Sequence, residues 1–375
     1  MKIVFLSPRN DLSGNRKLLT MLASELGKHN SVSILYPIIP DLEFLSHLSR
    51  PTNALVYIRK YIADCRHYLK SPRWLYGSLL NGSRISVKPY WSAIPTEVFE
   101  TADVVIYFTP YQALELVRMN PSNCVMVFYV MHDQSRTDAH SMDSELVRRM
   151  YRNGDHKIAL SKATRRCLSE IGVHCEDVMP GGVDPSIFYP RVKPPHPNLK
   201  LLAYYSPGEP RKGAGLLLEV LESIHSQYPE ISISLLTHRG VRINKYHTYS
   251  DLNEESLAEI YRCHDIFVYP SMHEGFGLPP LEAMASGCGV VATRVGAVED
   301  YATHEYSALL CDPGNKVQLV RAIERLISSP SLLTMLKTRA VKQAQEWSWK
   351  SAGAKMDAYL KTIVTERNGL ASFCG

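Results

Sequence analysis

An alternation that runs through the chain twice constrains its fold more than any other feature. Short β-branched and aromatic runs, "KIVFL", "SVSIL", "DVVIYF", "CVMVFYV" and "KIAL", punctuate the first half, with helical periodicity between several of them, as in "GNRKLLTMLASELGKH". Strands apolar on both faces and separated by helices belong to parallel sheets, because a parallel crossover needs a helix and the helices cover both faces. From Tyr189 to Lys200 the sequence "YPRVKPPHPNLK" breaks the pattern. Its four prolines can continue neither a helix nor a central strand, which predicts an interdomain linker. The alternation then restarts with "LKLLAYY", "ISISLLT", "DIFVYP", "GVVAT" and "SALLC".

The pattern predicts an α/β protein of two Rossmann-like domains facing each other across a cleft. A length of 375 residues suits two domains. The expected boundaries are 1–190 for the first and 191–350 for the second, followed by a helix over 351–375 that crosses back to the first. Residues 57–76, "YIRKYIADCRHYLKSPRWLY", fall outside the alternation, within an atypical insertion over 37–95. They suit either a solvated helical insertion or a basic aromatic surface for phospholipid headgroups or an anionic acceptor.

Composition narrows the function. A net charge of +5 from 42 basic and 37 acidic residues lacks the dense basic stripe of a nucleic-acid binder, yet accommodates an anionic ligand. The eight cysteines are scattered and form no C-x-x-C pair, which argues against a zinc site or a disulfide framework and for a reducing compartment. The apolar run in "MKIVFLSPRN" is too short for a signal peptide, and no segment approaches the length of a spanning helix. The expectation is a cytoplasmic protein, at most peripheral to the inner face of a membrane.

The stretch "CHDIFVYPSMHEGFGLPPLEAMASG" carries the chemistry. It reads as a strand over Ile266 to Tyr269, a loop over Ser271 to Leu278 and a helix over Pro279 to Ser286 closed by Gly287, with prolines suited to a helix start and glycine to its end. A loop at the carboxyl end of a parallel strand that feeds a helix N-terminus is where open α/β sheets bind ligands and where phosphate is attracted. Gly275 and Gly277 allow backbone amides to approach a ligand closely. Glu274 at the loop entrance and Glu282 in the first helical turn would flank one pocket, and carboxylates accept hydrogen bonds from vicinal sugar hydroxyls. Each residue alone also has a plain structural explanation: a first-turn Glu suits the helix dipole, and Gly-Phe-Gly suits a tight turn.

Together these residues resemble a known signature. The two glutamates of "EGFGLPPLE", followed by "AMASGCGVVAT", are similar to the E-x7-E motif of retaining glycosyltransferases of the GT-B fold, family 4. The resemblance continues through "DYATHEYSALLCDPGN", "LVRAIERLISSP" and "WSW", and more thinly through "MPGGVDPSIFYP", "ALSKATRRCL" and "MHDQ" in the first half. It implies that Glu282 contacts the ribose of a nucleotide donor, and that Glu274 with the amides of Gly275, Phe276 and Gly277, next to Leu278, contacts the donor sugar and diphosphate. Lys212 in "EPRKGAG" matches the family's Lys-Gly and implies stabilisation of the departing diphosphate, with Arg211 as a second cation. His132 matches a histidine beside the reacting carbon, and Asp133 would orient it or the acceptor. Gly14, with Ser13 as N-cap, would line the acceptor side. Two departures stand out: "YYSPGEPRKG" lacks the family's Gly-Arg before Lys-Gly, and the first loop lacks its paired glycines.

The resemblance implies transfer of a sugar, with retention and without metal or other cofactor, from a nucleoside-diphosphate sugar to a hydroxyl of a glycan or lipid-linked acceptor. Polysaccharide or glycolipid synthesis is the expected setting. Two alternatives stay open on the same architecture: a nucleotide-sugar epimerase, which needs no acceptor, and a non-catalytic accessory subunit.

Overall fold

The computed structural model describes residues 1–7, 14–37, 85–90, 94–119, 121, 123–131, 150–152, 156–191, 198–237, 240–241 and 243–373. Among them are two all-parallel sheets. The first contains β1 (Lys2–Leu6), β2 (Ser31–Pro37), β3 (Ile85–Tyr90), β4 (Val104–Tyr107), β5 (Val125–Val130), β6 (His156–Ala159) and β7 (Asp177–Val178), in the spatial order β3-β2-β1-β4-β5-β6-β7. The second contains β8 (Lys200–Tyr205), β9 (Ser232–Thr237), β10 (His247–Tyr249), β11 (Ile266–Tyr269), β12 (Gly289–Thr293) and β13 (Leu309–Cys311), in the order β10-β9-β8-β11-β12-β13. Strands β4, β5, β11 and β12 are buried at every position, which explains their unbroken apolar sequences. The fold is α/β with two Rossmann-like sheets, as the alternation predicts.

Three strands have no counterpart in the sequence reading: β3, β7 and β10, each an edge strand. Edge strands bury less and tolerate residues that a central strand excludes, such as Pro89 in β3. Their sequences, "ISVKPY", "DV" and "HTY", therefore lack the apolar run that marks a central strand.

The chain divides into two compact units, one made of Met1–Leu160, Thr164–Met179 and Trp349–Gly375, the other of Ser161–Ala163 and Pro180–Ser348. The division falls upstream of the proline-rich segment, of which residues 192–197 lie outside the described ones. So does all of 57–76, together with most of the expected 37–95 insertion. Among the described residues no helix is long and apolar enough to cross a membrane.

In the first unit Tyr107, Phe128 and Tyr151 stack in succession, with centroids 4.7 and 5.5 Å apart, within a core that includes Leu6, Val105 and Val130. The strand order reverses between β1 and β4, and the buried Gln112 ties their ends together. Its Nε2 donates to the carbonyls of Leu6 (3.1 Å) and Ser7 (3.2 Å), while its Oε1 accepts from the Phe108 amide (2.9 Å).

The last helix, Trp349–Phe373, belongs to this unit and packs along the helix Gly14–Gly27, where Gly353 lies so close to Glu25 that a side chain would collide with it. Polar contacts fix its register. Tyr359 donates to Glu176 (2.6 Å), Lys355 donates to Asp177 (2.9 Å) and the Val178 carbonyl (2.6 Å), and Asn30 donates to Asp357 (2.7 Å). Burial pushes the Glu176 carboxyl up, but hydrogen bonds from Tyr359 and His156 outweigh it and hold the group below its ordinary value. A carboxyl depressed in the folded state stabilises above its unfolded pKa of about 4.3 and loses that contribution as pH falls through the folded value. Tyr359→Phe is therefore expected to lower stability at neutral pH by about 1 kcal/mol. In urea titrations at several pH values, the gap from the unsubstituted chain should narrow below about pH 4. A gap independent of pH would contradict the role given to ionised Glu176.

Candidate active site

In the second sheet the strand order reverses between β8 and β11. Crossovers depart to opposite sides at such a point, and the loops leaving the two strands open a crevice at their carboxyl ends. Strand β8 runs into a loop that ends in the 3-10 turn Pro210–Lys212, and β11 runs into Pro270–Gly277. The loops are tied through one carbonyl, that of Arg211, which accepts from the amides of Met272 (2.7 Å) and His273 (3.3 Å) and has Ser271 Oγ 3.1 Å away. Gly213 adopts φ +70°, and a Cβ there would strike the Pro270 carbonyl oxygen. The glycine after Lys212 is what allows this close approach.

Across the junction Lys212 Nζ lies 2.5 Å from Glu274 Oε1, with side chains 12% and 9% exposed. Tyr269 Oη donates to the same oxygen at 2.6 Å, and Ser271 Oγ at 2.8 Å. The ammonium also lies over the rings of Tyr204 and Tyr269, 5.8 and 6.0 Å from their centroids, where the ring quadrupole favours a cation. Burial, then the adjoining Glu274 carboxylate, pushes the Tyr269 phenol far up, so it remains a donor. Burial does the same at Tyr204, reinforced by Glu209 and Glu274, partly offset by Arg211, and raised further by Glu282. At Tyr301 burial is joined by Glu274 and Glu282. Both glutamates of the sequence motif therefore act on the same two tyrosines.

The helix after the loop spans Leu278–Ala285, one residue earlier at each end than the sequence suggests, with Gly277 as N-cap at φ +84°. Glu282 consequently lies in its second turn, not its first. It is 4% exposed, and the buried Tyr261 hydroxyl donates to it at 3.4 Å. The Phe276 ring turns inward onto Tyr301 (5.6 Å) and Trp347 (6.3 Å), and its carbonyl accepts from the Ala297 amide at 3.3 Å. Tyr301 Oη donates to the Gly277 carbonyl at 2.6 Å. The amides of Gly275, Phe276, Gly277 and Leu278 donate to no group among the described residues. Gly296, at φ +58°, supports the loop from below, and a Cβ there would come within 2.8 Å of the Glu274 carbonyl oxygen and 2.9 Å of its Cβ.

The structure thus brings Lys212, Glu274, Gly275, Phe276, Gly277, Leu278 and Glu282 together in the second unit. Arg211 contributes its carbonyl to the junction, while its guanidinium pairs with Glu209 through Nη2 (2.8 Å) and Nε (3.1 Å). Gly14 opens the helix Gly14–Gly27 in the first unit, and Ser13 lies outside the described residues, as do His132 and Asp133. Among the described residues no group of three or more His, Cys, Asp or Glu is placed to hold a metal ion.

Sequence reasoning passed over Tyr204, Glu209, Tyr269, Ser271, Gly296 and Tyr301. One of these had a local signal: Ser271 and Glu274 form an S-x-x-E spacing, which often marks a short-range side-chain pair. Tyr269 ends the strand that feeds the loop and Glu209 precedes the Pro210–Lys212 turn, but nothing local marks either; Tyr204, Gly296 and Tyr301 come from segments farther away in sequence.

Known proteins similar to this chain are glycosyltransferases by name or fold. Residues 239–346 match the family model "Glycosyl transferases group 1", and the chain carries that domain. It is 30% identical over 238 residues to an MMP alpha-(1->4)-mannosyltransferase of Mycolicibacterium hassiacum, covering 58% of this chain and 57% of the relative. It is 24% identical over 329 residues to the sulfoquinovosyl transferase SQD2 of Arabidopsis thaliana, covering 76% of this chain and 64% of the relative. The chain thus spans less than two thirds of either relative's length. Among solved structures, a sucrose-phosphate synthase of Thermosynechococcus elongatus superposes with a TM-score of 0.71 at 17% identity, covering 97% of this chain and 99% of the other. Anabaena HepE, crystallised with UDP and glucose, gives a TM-score of 0.71 at 16% identity, covering 96% and 100%. The fold is that of the GT-B glycosyltransferases.

The packing beneath the loop gives a test of its rigidity. Gly296→Ala should destabilise the protein by about 1–3 kcal/mol, since the new methyl meets backbone at a strained φ. Gly215→Ala, at a helical glycine with open space around it, should be neutral or slightly stabilising. Thermal unfolding of both variants checks the contrast, and equal melting temperatures would contradict it.

Proposed function

We propose that this chain, built on its glycosyl transferases group 1 domain, is a retaining glycosyltransferase that moves a sugar from a nucleoside diphosphate to an acceptor hydroxyl. The observation that carries the reading is the Lys212–Glu274 pair, 2.5 Å apart, at the switch point of the second sheet beside four consecutive amides of the loop and helix start. A cation and backbone N–H groups suit a diphosphate, and carboxylates suit sugar hydroxyls. The names of the relatives, a mannosyltransferase and a sulfoquinovosyl transferase, and the UDP and glucose held by the Anabaena structure support the same ligand class.

In the proposed reaction the bond between the anomeric carbon and the diphosphate oxygen breaks while the acceptor oxygen attacks from the same face. The leaving oxygen takes the acceptor's proton. Charge accumulates on the diphosphate, where Lys212, Arg211 and the amides of Gly275 to Leu278 stabilise it; preorganised groups of this kind contribute most in a site that excludes water. Glu274 holds the donor sugar, Glu282 the ribose, and His132 with Asp133 acts beside the reacting carbon. Gly14 belongs to the acceptor side. No metal or prosthetic group is assigned, the nucleotide sugar being the donor substrate. The Tyr, Arg and Trp residues of 57–76 suit a lipid-linked or cell-surface glycan acceptor reached from the cytoplasmic side of a membrane.

Glu274→Ala and Lys212→Ala should each lower transfer by at least a hundredfold, the order expected for losing a buried charged group at the reacting centre, while leaving the fold intact at a lowered melting temperature. The assay combines UDP, GDP, ADP and dTDP sugars with lipid-linked and water-soluble acceptors, and NMR of the product reads the anomeric configuration. Near-normal turnover in either variant, or inversion, would contradict the reading. Conversion of donor without acceptor would identify an epimerase instead.

A further inference from the structure

The three short contacts to Glu274 all end on one of its oxygens. Lys212 Nζ (2.5 Å), Tyr269 Oη (2.6 Å) and Ser271 Oγ (2.8 Å) all reach Oε1, and Oε2 takes part in no hydrogen bond among the described residues. A carboxylate oxygen offers two lone-pair directions, so three donors saturate it. The carboxylate is divided into a held oxygen and a presented one.

The donors are themselves fixed. Tyr269 is the last residue of β11, 1% exposed, with its ring against Tyr204 (5.3 Å between centroids) and Phe267 (6.3 Å). A side chain on a buried central strand places its tip more reproducibly than one on a loop. Ser271 is fully buried, its Oγ is also 3.1 Å from the Arg211 carbonyl, and its own carbonyl accepts from Thr293 Oγ1.

We propose that Tyr269 is a positioning residue for the donor sugar: with Ser271 and Lys212 it holds Oε1 of Glu274 and presents Oε2 as a single acceptor to one sugar hydroxyl. The inference rests on the donor-sugar reading of Glu274 given above and deepens it. A single presented oxygen selects one hydroxyl, whereas a freely rotating carboxylate would span two vicinal ones. Without the Tyr269 hydroxyl, Glu274 can turn both oxygens toward the Lys212 ammonium, which misdirects the acceptor atom.

The test is a double-mutant cycle in the full chain, using whichever of UDP-glucose, GDP-mannose, dTDP-rhamnose and UDP-N-acetylglucosamine is turned over fastest. Tyr269→Phe keeps the ring and removes one donor, so kcat should fall on the order of tenfold with affinity for the nucleoside diphosphate unchanged. In a Glu274→Gln background the same substitution should cost less than about twofold. Monodeoxy donors give a second readout: one hydroxyl deletion should cost the unsubstituted chain on the order of tenfold and lose most of that penalty in Tyr269→Phe. If Tyr269→Phe does not fold, Ser271→Ala replaces it in the same cycle. Equal factors in both backgrounds, or penalties spread evenly over several hydroxyls, would overturn the positioning role and leave the donor reading intact. No turnover of any donor, or unimpaired turnover in Glu274→Gln, would overturn the donor reading itself.

Discussion

The candidate site depends on one ion pair, Lys212 to Glu274, which joins the loops of two neighbouring strands. Its 2.5 Å separation and low exposure place both charges where water screens them little, so each would be costly to leave unpaired. The tyrosines around them make the arrangement tenable. Tyr269 supplies a neutral donor to the carboxylate, and its ring and that of Tyr204 lie under the ammonium. A buried pair of this kind adds little net stability compared with an apolar substitute. What it contributes here is a fixed charge distribution at the point where the sheet opens.

The scaffold explains why the pair can exist. A parallel sheet whose strand order reverses sends adjacent loops from β8 and β11 to the same end, where Gly213 removes the Cβ that would hold them apart, while Gly277 and Gly296 let the segment after β12 pack against the β11 loop. Phe276, Tyr301 and Trp347 then form the apolar floor beneath the glycines. Within "EGFG" the Glu274 side chain joins Lys212 and the Phe276 ring joins the floor, so one short motif does both tasks.

Much of this was legible in the sequence, for physical reasons that also mark its limits. The central strands β4, β5, β8, β11 and β12 announce themselves because they are mostly buried on both faces and carry runs of apolar and aromatic residues. The edge strands β3, β7 and β10 do not. The loop "HEGFGLPPLE" was recognisable because glycine and proline have sharp backbone requirements, but its helix register was displaced by one residue, and with it the turn that holds Glu282. Partners drawn from elsewhere in the second unit, Tyr204, Gly296 and Tyr301, carried no local signal. The Glu209–Arg211 pair was similarly invisible, since nothing in "GEPRKG" shows which basic side chain turns to the glutamate and which to Glu274.

The central claim is that the Lys212–Glu274 junction is the diphosphate-sugar site of a transferase. Calorimetric titration of the full chain with UDP, GDP, ADP, dTDP and CMP tests it most directly. The account predicts saturable binding of a diphosphate with one preferred base, weakened at least tenfold by Lys212→Ala, consistent with losing a charge-assisted contact of about 1.5–3 kcal/mol. Binding that is indifferent to Lys212→Ala, or no binding of any nucleoside diphosphate, would contradict it.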